Sequence, residues 1–371
     1  MTLSLTWPQI LTWRLSRQFV AGPGGAGAVA IARRLCGVQT QVASSAQLAV
    51  ALRSARQAAG EIDAALWEHR TLAKTWVMRG TLHLVPADEL PAYCSALSTL
   101  RFWEKGSWQR GHGVTAAEID AVIDAVPQAL GEHPLTREEL VDAVVEVTGD
   151  AHLREALTSG WGALLKPLSR LGELCYGPPR DGRVTFTAPR RWLPAWPAEP
   201  PPQEEAGVAL ARAFLGAHGP ATPEMFDAWL FGGVARKAVL RAWFRDLAPE
   251  VTEVTTADGH TLLALTEHLD DLAATRPGGE VHLLPGFDPY ILGAPRSLEP
   301  LVPAEAKARV SRQAGWISPV VLHDGRVAGV WEPKDGRAVV ELFEPVPQAA
   351  LDAAVARVEA LLAPQSRGSE S

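Results

Sequence analysis

Two glutamines, Gln39 and Gln41, are separated by a single residue in the stretch GVQTQVASSAQ, just ahead of an apolar, helix-like segment. A glutamine amide is no useful base near neutral pH, so neither side chain can deprotonate a water molecule. Two amides can still accept hydrogen bonds from one water and hold it, and their carbonyl dipoles favour positive charge that develops nearby. The pair could therefore position a nucleophilic water. The alternative is that both are solvated loop residues.

The backbone around the pair decides whether the two amides can act together. Side chains at positions i and i+2 share a face only in an extended conformation. Ser44 and Gln47 have the Ser-x-x-Gln spacing of a capping box, which predicts a helix beginning near Ala46. We therefore expect residues 37–43 to be strand-like, with both amides on one face outside the helix.

The composition is that of a globular protein. The chain has 371 residues, of which 47% are hydrophobic and 21% charged, and this length predicts two to four domains. It contains no apolar run of about 18 residues, and its N-terminal stretch carries Pro8 and Arg14 instead of the features of a signal peptide. We expect no membrane span and a cytoplasmic location, on the nucleoid if the protein is bacterial.

Cysteine usage and charge limit the classes of function. Cys36, Cys94 and Cys175 lie far apart without a C-x-x-C motif, and no H-E-x-x-H motif occurs. Disulfides and metal sites are therefore not indicated, and we expect no cofactor. The net charge of −7 argues against a protein that coats nucleic acid with its whole surface, although arginines could still be concentrated in a cleft.

Four Asp-Gly pairs lie between strand-like runs and predict four tight hairpins, because this dipeptide supplies the positive φ angles such turns require. The pairs begin at Asp181, Asp258, Asp324 and Asp335. Two helical stretches precede each of the first two hairpins, with a capping box at Thr136 and Glu139 in one copy and an N-cap at Thr222 in the other. Helix, helix, hairpin thus occurs twice, about 80 residues apart, which is typical of winged helices.

A third copy is predicted at the N-terminus, where residues 75–85 (TWVMRGTLHLV) alternate like a single strand. Six prolines between 189 and 202 mark a linker. The predicted fold class is α+β, mainly helical: winged-helix units at 1–125, 126–200 and 201–275, the first with extra helices, and a β-rich C-terminal region with a final helix at 276–371. The polar tail from residue 364 is expected to be disordered.

Four motifs in this order resemble the winged-helix DNA glycosylases of the AlkZ type, over almost the whole chain. They are the Q-x-Q stretch, RGTLHLV at 79–85, LLPGFDPYILG at 283–293 and VVLHDGRVAGVW at 320–331. The resemblance implies three tandem winged-helix units and a C-terminal β-rich region that form a concave surface for duplex DNA. It also implies hydrolysis of the N-glycosidic bond of purines alkylated at N7, or of their bulky or crosslinked adducts, by a monomer.

The resemblance also implies site residues. In the family the Q-x-Q pair lies beside the anomeric carbon, which assigns Gln39 and Gln41 as catalytic, and a C-terminal hairpin contacts DNA. We assign this contact to the hairpin that turns at His323 to Arg326. The alternative for Arg326 is a solvated turn residue.

Five further residues are candidates for DNA contact, each with a structural alternative. Arg33 and Arg34 could instead belong to a solvated helix face. Arg79 and His83 are expected to share one strand face with Thr81, where they line the site or pair with a buried carboxylate. Tyr290, in GFDPY, could contact DNA or serve as a core anchor with its hydroxyl paired.

The chemistry of two amides narrows the substrate. A purine alkylated at N7 is cationic and leaves as a neutral base without a general acid. A neutral lesion such as uracil cannot leave in this way. Lys74 and Lys105, the nearest lysines in sequence, are not placed as Schiff-base nucleophiles by any motif, so we expect a monofunctional glycosylase. Three alternatives stay open. The natural lesion could be a methyl adduct, a bulky adduct or a crosslink, and the base could be flipped out of the duplex or hydrolysed within it. The biological role could be housekeeping repair or antibiotic self-resistance. The alternative function is a non-catalytic winged-helix regulator.

Overall fold

The structure is a computed structural model that describes residues 3–22, 24–25, 27–55, 60–158 and 162–363. The polar tail predicted to be disordered lies outside these residues. The chain divides into two compact units. Unit 1 comprises Met1–Gln57, Ala213–Trp229 and Ala248–Ser371, and unit 2 comprises Ala58–Arg212 and Leu230–Leu247. The predicted division into four consecutive domains stays a prediction.

Unit 1 contains short helices and two sheets. Its helices are α1 (Trp7–Arg17), α2 (Ala28–Arg34), α3 (Ala43–Ala51), α13 (Pro223–Leu230, whose last residue is grouped with unit 2), α15 (Leu269–Ala274), α16 (Pro289–Leu292), α17 (Lys307–Val310) and α18 (Gln348–Leu362). Its strands are β1 (Leu3–Leu5), β2 (Val38–Gln39), β8 (Val251–Thr256), β9 (Thr261–Leu265), β10 (Val281–Leu284), β11 (Val320–His323), β12 (Arg326–Lys334) and β13 (Arg337–Leu342).

Unit 2 is mainly helical. Its helices are α4 (Glu61–Asp63), which continues into a π-helical turn, α5 (Leu90–Leu97), α6 (Gly106–Gly111), α7 (Ala116–Ala129), α8 (Arg137–Thr148), α9 (His152–Thr158), α10 (Lys166–Arg170), α11 (Pro189–Trp192) and α14 (Lys237–Leu247). Its strands are β3 (Leu72–Trp76), β4 (Leu82–Pro86), β5 (Leu135–Thr136), β6 (Cys175–Arg180) and β7 (Arg183–Thr187). Helix α12 (Gln203–His218) begins in unit 2 and ends in unit 1.

A complete winged helix lies within unit 2, as predicted for this part of the chain. Helix α7, strand β5, helices α8 to α10 and the β6–β7 hairpin follow one another, and the strands are ordered β5-β7-β6. Helix α8 begins with the predicted capping box: the Thr136 hydroxyl accepts from the Glu139 amide at 3.3 Å, and the Glu139 carboxylate accepts from the Thr136 amide at 2.8 Å. The predicted second helical stretch is broken into α9 and α10, and residues 159–161 between them lie outside the described residues.

The same order recurs in the third copy, where α12 is followed by α13, α14 and the β8–β9 hairpin. In place of a full first strand, Ala221 forms a single bridge to Leu263. The first copy has α2, β2, α3, α4 and the β3–β4 hairpin in that order along the chain. Every copy thus has a short extended segment before its second helix, an element that the predicted helix, helix, hairpin order lacked.

The predicted hairpins are confirmed, whereas the linker stays a prediction. Each Asp-Gly pair lies in the turn of an antiparallel hairpin, and Asp181, Asp324 and Asp335 take φ angles of 53°, 48° and 50° with positive-φ glycines after them. The proline-rich linker forms only α11 before it becomes irregular up to α12. The C-terminal region is a four-stranded antiparallel sheet, β10-β11-β12-β13, with α18 packed against it. None of the helices within the described residues is long and apolar enough to cross a bilayer.

Candidate active site and DNA-contacting residues

The glutamine pair follows a sharp reversal at the end of α2. Cys36 and Gly37 take successive positive φ angles of 55° and 100°, and the Gly37 amide donates to the Ala32 carbonyl at 2.7 Å. A φ of 100° is strained for any residue with a Cβ, so this position requires glycine. The reversal closes α2 and sends the chain into β2, which places Gln39 at the end of a two-residue strand.

The two amides differ in exposure. Gln39 is 6% exposed, as is Thr40, whereas Gln41 faces solvent in a bend. The prediction that residues 37–43 form one extended segment is wrong, because the regular strand ends at Gln39 and the chain bends to enter α3 two residues after Gln41. The pair thus has one enclosed amide and one accessible amide.

The start of α3 departs from the other two copies. The predicted capping box at Ser44 is wrong, because α3 begins at Ala43, and Val42 at the N-cap makes no side-chain hydrogen bond. In the other copies this position is Thr136 or Thr222, whose hydroxyls accept from backbone amides at 3.3 Å. A lost N-cap costs about 1 kcal/mol. Local rules are most often broken where function requires it, and here the break directly follows Gln41.

A buried ion pair ties the far end of α3 to the C-terminal region. Arg53 and Asp288 are both 0% exposed, and the guanidinium donates to both carboxylate oxygens at 2.7 and 2.8 Å. Arg53 also donates to the carbonyls of Gln18 and Ala49 at 2.9 and 3.0 Å, and Asp288 accepts from the Tyr290 amide. The GFDPY motif therefore holds the helix that follows the glutamines.

A second buried contact reaches Leu35, the residue just before the reversal at Cys36. The Gln18 amide nitrogen lies 3.0 Å from His218 Nδ1, and His218 Nε2 lies 3.4 Å from the Leu35 carbonyl. The network is consistent when Gln18 donates to Nδ1 and Nε2 carries the proton. Gly293 is required beside this ring, because a Cβ there would come within 2.0 Å of Nδ1. Sequence reasoning missed these positioning residues, and no local pattern indicated them, because Gln18 and Arg53 find their partners 200 and 235 positions away.

The two predicted arginines before the glutamines are placed differently. Arg33 is exposed on the last turn of α2, which fits contact with a polyanion. Arg34 is half-buried, its guanidinium 5.0 Å from the centre of the Phe19 ring, and Nη1 donates to the Arg17 carbonyl at 3.3 Å. The guanidinium of Arg34 is thus already engaged in contacts within the protein.

Arg79, Thr81 and His83 do not share one strand face, so that prediction is wrong. Residues 75–85 form a hairpin: β3 ends at Trp76, a turn spans Met78–Gly80, and β4 starts at Leu82. Arg79 sits in the turn with a φ of 54°. His83 is 2% exposed, and its Nδ1 lies 2.9 Å from the Thr81 carbonyl.

His83 should stay neutral between about pH 5 and pH 8. Burial lowers its pKa to about 3, and the charge of Arg79 acts in the same direction against the opposing hydrogen bond to Thr81. In histidine-selective NMR titration its ring signals should not move over this range. His152 is the control, because its hydrogen bond to the Gly113 carbonyl and its neighbour Glu118 raise its pKa, so its signals should move. A His83 titration midpoint of about 6.5, the ordinary value, would contradict the buried, neutral assignment.

The hairpin assigned to DNA contact is packed into unit 1. A Cβ at Gly325 would lie 2.5 Å from the Tyr290 hydroxyl and 2.7 Å from Leu11 Cβ, and Asp324 accepts three backbone amides from residues 278–280. Arg326 and His323 line a cavity of about 800 Å³ whose lining is rich in carboxylates: Asp258, Glu299, Glu305, Asp324 and Glu344. This charge is unfavourable for phosphate, so the assignment of His323 and Arg326 does not fit their positions.

Tyr290 does not fit the predicted DNA contact either. It is 3% exposed, and its hydroxyl lies within hydrogen-bond distance of the Leu11 and Gly325 carbonyls, at 3.1 and 2.9 Å. The alternative, a core anchor with its hydroxyl paired, is confirmed. Within the C-terminal region, the next hairpin, β12–β13, has a free turn: a Cβ at Gly336 would meet nothing within 4 Å, and Lys334 and Arg337 are exposed.

Comparisons with known proteins agree on one family. The model of the family described as DNA glycosylase AlkZ-like matches residues 32–363. An interstrand DNA cross-link repair glycosylase of Streptomyces sahachiroi is 43% identical over 341 residues, which cover 92% of this chain and 91% of that protein. The solved structure of the Streptomyces sahachiroi DNA glycosylase AlkZ superposes with a TM-score of 0.91 at 42% identity, covering 96% of this chain and 98% of that one.

Proposed function

The chain belongs to the family of AlkZ-like DNA glycosylases, which are hydrolases of the N-glycosidic bond in DNA, and on that premise we propose that its substrates are purines made cationic by alkylation at N7. Bulky adducts and interstrand crosslinks are included, and the product is an abasic site. The resemblance seen in the sequence motifs is thereby confirmed at the level of the family. Family membership also favours an enzyme over a non-catalytic regulator.

The observation that carries this proposal is the placement of the two amides. Gln39 is enclosed at the end of β2, and Gln41 faces solvent at a junction that lacks the threonine cap of the other two copies. We assign both as catalytic: they hold a water in line with C1′ of the sugar, and their carbonyl dipoles stabilise the oxocarbenium-like charge of the transition state. Neither amide can take the proton from that water, so the proton passes to solvent once the C1′–O bond has formed and the neutral base has left.

The absence of a base at these two positions selects the substrate. An N7-alkylated purine already carries the positive charge that it loses on departure, so cleavage needs no general acid and only a weakly activated water. A neutral base such as uracil would need both. The exposure of Gln41 also favours bulky or crosslinked adducts, because two joined bases cannot enter a closed pocket. The name of the relative at 43% identity refers to repair of such crosslinks.

We assign the DNA contact of the C-terminal region to the β12–β13 hairpin instead of the one that turns at Asp324. Lys334 and Arg337 are opposite each other in the strand register next to the free turn, and both side chains are exposed. The two exposed cations at this turn suit the narrow, negative minor groove, and Glu332 and Asp335 beside them leave the turn without a net positive charge. We also assign Arg33, on the exposed side of α2, to phosphate contact.

Excision of 7-methylguanine tests the proposal. The protein should convert a duplex with one 7-methylguanine into an abasic duplex well above the spontaneous rate, detected as strand cleavage only after heating in alkali. A matched duplex with uracil should stay intact, because its leaving group is neutral. A duplex with an N7–N7 interstrand crosslink should be unhooked. Excision of uracil, or no excision of any N7 adduct, would show that the substrate class is wrong.

The same reaction tests whether the enzyme is monofunctional. A lysine nucleophile would form a Schiff base that borohydride traps as a covalent protein–DNA complex. We expect no trapped complex and no strand cleavage before alkali. Of the two lysines nearest to the motif in sequence, Lys105 is exposed, and Lys74 directs its ammonium at the Tyr176 ring at 5.3 Å.

A further inference from the structure

A cavity of about 270 Å³ within unit 2 has a lining that combines cations with aromatic rings. No carboxylate is present among the described residues that line it. Its volume is just below the roughly 300–1,000 Å³ typical of small-ligand sites. The members that matter for its chemistry are Arg79, Lys166, Arg170, His112, Phe102 and Trp108.

Arg170 is the most unusual member. It is 5% exposed, and burial alone lowers its pKa to about 10. Its guanidinium lies 4.7 Å from the centre of the Phe102 ring, and its hydrogen bond to the Leu100 carbonyl is long at 3.5 Å. Its Nε is buried without a hydrogen-bond partner among the described residues. A buried guanidinium without an anion is energetically costly.

Lys166 adds a second charge one helical turn away on α10. Burial lowers its pKa, and the positive charge of Arg170 lowers it further. Two cations thus repel each other beside a cavity that offers no negative group among its described lining. Arg79 reaches the same cavity from the β3–β4 turn. An anion in this cavity would relieve the repulsion and supply the partner that Arg170 lacks.

We propose that this cavity is a phosphate-binding site, and that a backbone phosphodiester of bound DNA occupies it. A guanidinium with a rigid fork of donors and a lysine ammonium are the groups that proteins use for phosphate. Phe102 holds the Arg170 guanidinium by a cation–π contact and keeps it directed. The assignment of the phosphate to DNA rests on the proposed function, whereas the affinity of the cavity for a phosphate anion does not.

The salt dependence of DNA binding tests the site. Each phosphate contact contributes about 0.9 to the slope of log K against log salt concentration. Lys166→Met should weaken binding to duplex DNA and make this slope shallower by about that amount. Lys307→Met, at an exposed lysine of unit 1 outside this cavity, should change neither. The Tm of DNA-free Lys166→Met should equal or exceed that of the wild type, because one of two repelling charges is gone. If Lys166 served only the folding of the protein, its replacement would lower the Tm.

A free phosphate compound is tested separately. Inorganic pyrophosphate should raise the Tm of the wild-type protein more than that of Lys166→Met. If pyrophosphate has this effect while the salt slopes are equal, the site binds phosphate but its natural source is not the DNA backbone. If the slopes are equal and pyrophosphate acts equally on both proteins, the cavity is not a phosphate site.

Failure of this proposal can be distinguished from failure of the proposed function, because excision by the wild-type protein is measured in its own assay. Wild-type protein that excises no N7 adduct but shows the Lys166-dependent slope would refute the substrate class and leave the phosphate site standing. Normal excision without any Lys166-dependent effect on binding or Tm would refute the phosphate site alone.

Discussion

Replacing Gln39 and Gln41 together by alanine should slow excision of 7-methylguanine by about a hundredfold or more. In the proposed mechanism the two amides hold the water and direct carbonyl dipoles at the developing charge, and removing one such electrostatic group typically costs about 10²–10³ in rate. The loss should appear in the single-turnover rate constant at saturating protein, because the pair acts on the bond and not on the affinity for DNA. The assay is alkaline cleavage of the abasic product.

Single variants and a helix control sharpen this test. Gln41→Ala removes an exposed side chain and should leave the Tm unchanged, whereas Gln39→Ala empties an enclosed position and should lower it. The effects of the two single variants on rate should not add, since both amides hold one water. Gln47→Ala, an exposed glutamine on α3, should excise at the wild-type rate. Full activity in the double variant would place the catalytic centre elsewhere.

Asp288→Asn should cause the largest loss of stability. It leaves the Arg53 guanidinium buried at 0% exposure without its counter-charge, and breaking a buried pair in this way costs about 3–5 kcal/mol. The Tm should fall by on the order of 10 °C. Excision should fall as well, because α3 follows the glutamines and Arg53 lies just beyond its end. Thermal unfolding and the single-turnover assay measure the two effects.

The double variant Arg53→Met with Asp288→Asn tests whether the unpaired charge of Arg53 causes the loss of stability. The introduced asparagine can still accept the Tyr290 amide at the start of α16, and no unpaired charge remains, so the double variant should be more stable than Asp288→Asn alone. Asp352→Asn, at an exposed aspartate of α18, should leave the Tm within error of the wild type. If the double variant were less stable than Asp288→Asn alone, an unpaired buried charge would not be the cause of the loss.

Local structure followed the sequence closely where the signal was local. Each Asp-Gly pair gave its hairpin, and the caps at Thr136 and Thr222 began their helices, because these residues act on backbone atoms within three positions of themselves. The same reasoning failed at Ser44, whose spacing satisfied the rule although the helix had already begun at Ala43. It failed again over residues 75–85, where alternation of side chains did not reveal the turn at Met78–Gly80.

The sequence by itself determined the fold class and the family and indicated the amide pair as a candidate site, because motifs, caps and turns are fixed by neighbouring residues. Only the tertiary structure decided that Gln39 is enclosed while Gln41 is open, and that Asp288 and Tyr290 serve the core. Arg53 and Asp288 are 235 positions apart, and no local pattern encodes such a pairing. Burial is a property of everything that packs around a residue, so the roles of charged groups such as Arg170 could not be predicted before the chain was folded.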